Sequence, residues 1–176
     1  MGVASRLYEL DQQLSAKLRV AEKPGSIRNV AILLAHSGDS WFWLFGLAVL
    51  WYLGDGYWRS RAVAYAVGIL VTAMLVMAVK FTGRRRRPEG EWGGIYRRTD
   101  PHSFPSGHAA RAVMLAAIAA GLGPPWFGVF LWIWAPLVVL ARVAMGLHFV
   151  SAVLVGALFG LVLGVIILQF LPLAPF

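Results

Sequence analysis

DPHSFPSGHAARAVMLAAIAAGL, residues 100–122, passes from a polar loop straight into an apolar helix. The helix opens with Pro105-Ser106-Gly107-His108, and Arg111 follows one turn further in. From Ala112 to Leu122 no side chain carries a charge. Histidine and arginine are costly at a lipid boundary, so their place at the head of such a helix needs an electrostatic reason.

The rest of the chain is of the same kind. It has 176 residues, of which 59% are hydrophobic and 14% charged. An average soluble domain carries roughly 25% charged residues. Apolar runs recur at 62–81, 126–141 and 149–171, and about 20 apolar residues suffice for a helix to cross the hydrocarbon core. The expected fold class is all-α, a polytopic membrane bundle of about six helical segments behind an amphipathic helix. Residues 1–24 form the interfacial segment and residues 25–176 a single transmembrane domain. The expected segments are 27–35, 41–53, 62–81, 106–121, 126–144 and 148–171, with a polar turn at His36–Ser40 and a long polar loop over 82–104. Residues 3–20 place Leu7, Leu10, Leu14 and Leu18 on one stripe, which suits a helix lying flat on the membrane. Glu9, Asp11 and the missing apolar core argue against a signal peptide. Gly156, Gly160 and Gly164 recur every four residues, a small-residue face that suits packing within the bundle better than dimerisation.

There is no cysteine, which excludes disulfides and thiolate chemistry. The net charge of +8 points to cytoplasmic loops or to an anionic partner. Nucleic acid does not fit a chain with so little soluble surface and no recognition motif.

After Asp100 there is no acidic residue; the charged or histidine positions are His102, His108, Arg111, Arg142 and His148. Lys80 ends one expected helix, Ser106 begins the next, Arg142 ends another and His148 begins the last. Alternating helix direction puts those four ends on one membrane face. Independent snorkelling residues would scatter over both. Arginine binds phosphate oxygens bidentately and lysine adds a compact charge. The N–H groups of Ser106 and Gly107 open a helix, where an anion is welcome, and Gly107 permits close approach. His108 and His148 come from different helices, as an in-line nucleophile and proton donor must.

These residues fall into three motifs: Lys80 and Arg87-Pro88 in KFTGRRRRP, Pro105 to His108, and Arg142 with His148 in RVAMGLHFVSA. Their order and spacing resemble the type 2 phosphatidic acid phosphatase (PAP2) superfamily over about residues 27–171. The resemblance implies that Lys80, Arg87 and Arg142 bind the phosphoryl group and that Ser106 and Gly107 complete the cradle. It implies that His148 attacks phosphorus to form a phosphohistidine and that His108 protonates the leaving oxygen. It implies no metal and no cofactor, and the sequence offers no carboxylate cluster for Mg²⁺. One position departs: Ala152 stands where the family has Asp. An Asp one turn after His148 would accept its Nδ1 proton, and loss of an orienting carboxylate costs on the order of 10⁴-fold in a serine-protease triad. The expectation is therefore an inactivated lipid phosphatase. Arg84, Arg85, Arg86 and Arg111 carry no assigned role.

Counting helices puts both termini opposite the site, with Lys17, Arg19, Lys23, Arg28, Arg59 and Arg61. The positive-inside rule then makes the site face periplasmic, in a multi-pass protein of the cell (inner) membrane. The expected partners are the bilayer and a membrane lipid phosphate: a polyprenyl diphosphate such as the undecaprenyl carrier, ahead of phosphatidate or phosphatidylglycerol phosphate. Two alternatives are a catalytically silent lipid-phosphate-binding protein, which Ala152 makes credible, and an anion or lipid transporter. Transporter sites lie near the bilayer midplane, whereas this cluster lies at one edge.

Overall fold

The structure, a computed structural model, describes residues 2–90 and 94–170. Its described elements are α1 (Val3–Lys17), α2 (Ser26–Ser37), α3 (Ser40–Leu53), α4 (Gly56–Gly83), α5 (Gly94–Thr99), α6 (Gly107–Leu122), α7 (Pro125–Ala144) and α8 (Val150–Phe170). The all-helical membrane bundle expected from periodicity is present. The last helix was expected to reach residue 171, which lies outside the described residues.

The alanine-rich α6 is the central post. Ala109, Ala112, Leu115, Ala116 and Ile118 are fully buried. Alanine removes little volume at the contact, so neighbours come close. α8 meets α6 with its glycine face. A Cβ on Gly156 would lie 2.5 Å from the Ser106 carbonyl oxygen, and one on Gly164 would lie 2.6 Å from Ala117 Cβ. A Cβ on Gly160 would collide with the Ala110 carbonyl. The small-residue stripe therefore serves packing inside the bundle. The outside is apolar: Phe45, Leu70, Met74, Ile133 and Leu158 are all exposed, as a surface covered by lipid chains requires.

Three helices, α4, α7 and α8, are long and apolar enough to cross a membrane, and α2 and α3 form a pair bent by 57° at their break. The polar turn at 36–40 is that break. α4 has 28 residues, or roughly 42 Å at about 1.5 Å per residue. It starts well before residue 62, so Arg59 and Arg61 lie in its first turns. Buried Arg61 donates from Nε to the Leu122 carbonyl at 2.7 Å and covers the Tyr57 ring at 3.3 Å. It thereby satisfies the C-terminal end of α6. The loop expected to be irregular over 82–104 contains the short helix α5.

One expectation is corrected. α1 lies on the site face. Val20 N–H donates to the Ala144 carbonyl at the end of α7 (2.8 Å), and Val150 N–H at the start of α8 donates to Ser15 Oγ (3.0 Å). The end of α8 lies at the other end of α6, where Leu168 packs on Gly121. The physical reason is the 57° bend. α2 does not cross; its Ala31 and Ala35 pack with Ala141, Met145 and Leu147 at the end of α7. The pair α2–α3 crosses once, so helix counting slips by one. Lys17, Arg19, Lys23 and Arg28 consequently sit on the site face, and the charge argument for a periplasmic site loses its premise.

Candidate active site

Four chain segments deliver the site. Lys80 comes from the last turn of α4, and Arg87 from the strand-like stretch after it. That stretch is held by Ser103, whose N–H donates to the Arg85 carbonyl (2.7 Å) and whose hydroxyl donates to the Arg86 carbonyl (2.9 Å). Arg142 ends α7. Gly146, at φ +64°, turns the chain in the left-handed region that glycine adopts without strain. The turn brings Leu147 and His148 back, so that both N–H groups donate to the Arg142 carbonyl (3.0 and 3.2 Å).

His148 is 1% exposed, and its two nitrogens have different partners. Nδ1 lies 2.7 Å from the Ser103 carbonyl oxygen and Nε2 lies 2.9 Å from Arg87 Nη1. A carbonyl only accepts and a guanidinium only donates. The proton is therefore on Nδ1, and Nε2 presents a lone pair that accepts from Arg87. Burial first, then the cations Arg87, Arg142 and Lys80, hold the imidazole well below its ordinary pKa. The ring is a neutral, oriented base among positive charges.

Arg87 also donates from Nη2 to Asp100 Oδ2 (2.7 Å) and from Nε to the Asp100 carbonyl (2.6 Å), and Lys80 ion-pairs with the same carboxylate. Asp100 thus stands as an internal anion on two of the expected phosphate ligands. Arg142 is fully buried, and its Nε and Nη2 have no acceptor among the described residues. Its guanidinium lies 4.9 Å from the Tyr96 ring centroid. Orphaned buried guanidinium donors are costly, and an anion oxygen would satisfy them.

The structure brings Lys80, Arg87, Arg142 and His148 together. His108 stands apart from that hydrogen-bonded group, across the Tyr96 ring from α5, at a ring separation of 6.2 Å. Its Nε2 lies 2.6 Å from Asp39 Oδ1. The expected cradle changes in one detail. Ser106 N–H is occupied by the Ala152 carbonyl at 2.9 Å, and Ser106 Oγ accepts from Ala109 N–H at 3.4 Å. The free N–H groups at the helix start are those of Gly107 and His108, and Ser106 offers its hydroxyl proton instead.

Ala152 is fully buried and carries no acceptor side chain. The neighbouring Ser151 is engaged elsewhere: its hydroxyl donates to Asp11 Oδ2 (2.5 Å) and accepts from Arg85 (2.7 Å). The acceptor for His148 Nδ1 is the Ser103 main chain. Arg111 donates from Nε to the Gly38 carbonyl (2.9 Å) and from Nη1 to Ser40 Oγ, so it clamps the α2–α3 break.

Sequence reasoning missed Asp39, Asp100, Ser103 and Asp11. A carboxylate between two short apolar runs was a visible signal for Asp39, since a charge at that depth needs a partner. Asp11 looked like an ordinary polar-face residue. It accepts from Ser151 N–H (2.9 Å) and from Arg85 Nη2 (2.8 Å). α1 also walls a cavity of about 420 Å³ in which Tyr8, Gln12 and Arg19 face Arg86, Arg87 and His148.

The profile of the PAP2 superfamily matches residues 61–175. The Arabidopsis thaliana protein named "Probable lipid phosphate phosphatase beta" is 30% identical over 194 residues, covering 94% of this chain and 90% of that protein. The lipid A 1-phosphatase of Porphyromonas gingivalis is 31% identical over 110 residues, or 61% of this chain, and the match spans 23% of that protein's length. Two solved structures share the fold at 23% identity. The first transmembrane PAP2 type phosphatidylglycerolphosphate phosphatase from Bacillus subtilis has a TM-score of 0.75, covering 94% of this chain and 86% of that one. LpxE from Aquifex aeolicus has a TM-score of 0.71, covering 91% and 95%. Motifs, profile and architecture agree on one family: the chain belongs to the PAP2 superfamily.

Proposed function

We propose that this chain is an active integral-membrane lipid phosphate phosphatase working through a phosphohistidine on His148. The observation that carries the proposal is the buried Nε2 lone pair of His148 beside Arg87, Lys80 and the unsatisfied donors of Arg142. A phosphate monoester or diphosphate displaces the Asp100 carboxylate from Lys80 and Arg87. Arg142, the Ser106 hydroxyl and the N–H groups of Gly107 and His108 take the remaining oxygens. Arg87 shifts from Nε2 to phosphate oxygen and uncovers the lone pair. Nε2 forms the N–P bond as the P–O bond to the leaving group breaks, and protonated His108 gives its proton to that oxygen. Neutral His108 then takes a proton from water. The water oxygen attacks phosphorus, the N–P bond breaks, and both histidines return to their starting states.

Ala152 does not by itself argue for inactivity. The missing carboxylate would fix the Nδ1–H tautomer, and the Ser103 carbonyl does that at 2.7 Å. A silent binding protein therefore loses its main support. The relatives named for lipid A and lipid phosphates favour a lipid substrate. A polyprenyl diphosphate leads among lipids because Arg86 and Arg19 line the cavity beyond Arg87, where a second phosphate needs cations.

The test is phosphate release by the purified protein from a polyprenyl diphosphate, phosphatidate and phosphatidylglycerol phosphate, with acid quenching avoided so that an N–P bond survives. Release from at least one lipid, with an alkali-stable phosphoenzyme that His148→Ala abolishes, is expected. No release from any of them overturns the proposal. The leaflet can be read directly, because the chain has no cysteine. A single Cys at Ser5 reports the site face and one at Arg59 the other, and a membrane-impermeant maleimide labels whichever lies outside.

A further inference from the structure

We infer that Asp39, from the break between α2 and α3, is the positioning carboxylate for His108, with His36 holding its second oxygen. The inference rests on the phosphatase reading for its purpose, but its geometry is independent of that reading.

Asp39 occupies the N-cap position of α3, yet its side chain makes no cap hydrogen bond. An N-cap aspartate ordinarily accepts from the N–H groups of the first turn. Here both oxygens turn to imidazoles instead. Oδ1 lies 2.6 Å from His108 Nε2, and Oδ2 lies 3.2 Å from His36 Nδ1. The Asp39 and His108 side chains are each 15% exposed and that of His36 is 49% exposed, so the shared bond is largely shielded from water.

The carboxylate only accepts, so Nε2 of His108 carries a proton and donates it to Asp39. That leaves Nδ1, which has no hydrogen-bond partner among the described residues, as the nitrogen that gives up and regains the second proton. A leaving-group acid must be charged before the reaction. Burial first, then Arg142 and Arg111, oppose a positive charge on His108 and hold its pKa well below the ordinary value, and Asp39 works against them. Tyr96 presents its ring edge-to-face to His108, and its hydroxyl lies 3.4 Å from His36 Nδ1. Among the described residues, Asp39 is thus the carboxylate that bonds His108. Arg111 bonds the Gly38 carbonyl and the Ser40 hydroxyl, so it holds the chain on both sides of Asp39.

The test pairs Asp39→Asn with Asp39→Ala and reads two quantities. The first is the imidazole titration of His108 by NMR in detergent, feasible because the chain has four histidines and His108→Asn identifies the signal. Each Asp39 variant is expected to lower the midpoint of His108 by about one unit or more, while the midpoint of His148 stays within its error. The second is the alkaline limb of kcat on the lipid hydrolysed fastest. It should move to lower pH, with a loss of roughly 10²-fold at pH 8. A His108 midpoint unchanged in both variants overturns the inference, as does a loss of rate equal at every pH, which is the mark of a merely structural residue. A wild-type protein inert on every lipid defeats the phosphatase reading instead, and the NMR titration still decides whether Asp39 sets His108.

Discussion

Two histidines of this molecule live in different surroundings. His148 has a neutral carbonyl on Nδ1 and three cations around it. His108 has a carboxylate on Nε2. The first setting stabilises the uncharged imidazole and exposes a lone pair; in the second, burial and the cations Arg142 and Arg111 hold the imidazole well below its ordinary pKa, and Asp39 opposes them. On the proposed mechanism one residue type serves as nucleophile and as acid, and what distinguishes the two rings is the partner each has, a neutral carbonyl or a carboxylate.

The comparison can be broken most severely at His148. His148→Asn keeps an Nδ1-like donor to Ser103 and removes the lone pair. The rate of phosphate release should fall by on the order of 10⁴-fold, with no phosphoenzyme on a gel run at alkaline pH. Survival of more than a hundredth of the activity would mean that another group attacks.

Next in size is the internal anion. Asp100→Ala frees Lys80 and Arg87 for an incoming oxyanion. Inhibition by inorganic phosphate should strengthen by about tenfold, the order of one charge-assisted hydrogen bond. Thermal stability should fall, because two buried cations lose their partner. Unchanged product inhibition would show that Asp100 remains in place when phosphate binds.

The pH behaviour sharpens the contrast. His148 is held below its ordinary pKa by burial and by Arg87, Arg142 and Lys80. Its lone pair is therefore kept as pH falls through about 6.5, the unperturbed value, and is lost only further down. With a diphosphate diester analogue that does not titrate there, the acid limb of kcat/KM should lie below that pH. A limb at or above it would mean that the cations do not act on the free enzyme.

The smaller effects concern the supports. Burial alone would raise the carboxyl of Asp11, but its hydrogen bonds from Ser151 and Arg85 outweigh burial and hold it below the usual carboxylate range. A depressed carboxylate stabilises the fold above its unfolded pKa of about 3.9 and loses that contribution as pH falls through the folded value. Asp11→Ala should cost about 1–2 kcal/mol, the scale of a lost helix cap, and flatten the acid end of a melting-temperature profile. Ala152→Asp should change kcat by less than about tenfold, far short of the 10⁴-fold gain expected if nothing oriented His148. A large gain would restore the inactivated reading.

Much of this was legible in the chain itself. The apolar runs, the glycine stripe of α8 and the convergence of Lys80, Arg87, Arg142 and His148 on one face follow from periodicity and helix direction, which are local properties. α5 was not legible, because six residues in a polar loop have no apolar period to announce them. The side of α1 was not legible either. Whether two short apolar helices cross once or twice depends on the angle between them, and that angle is set by what α2 packs against at the end of α7.

The sequence alone determined the material of this protein: membrane helices, a cationic edge and two histidines near that edge. Hydrophobic period and fixed motif spacing carry that information without reference to the rest of the fold. Only the tertiary structure decided which partner each histidine has. Ser103 and Asp39 lie 45 and 69 residues from the rings they hold, one through a main-chain carbonyl that every residue possesses. A hydrogen bond to backbone leaves no trace in residue identity, so the acceptor that answers for Ala152 could be seen only once the chain was folded.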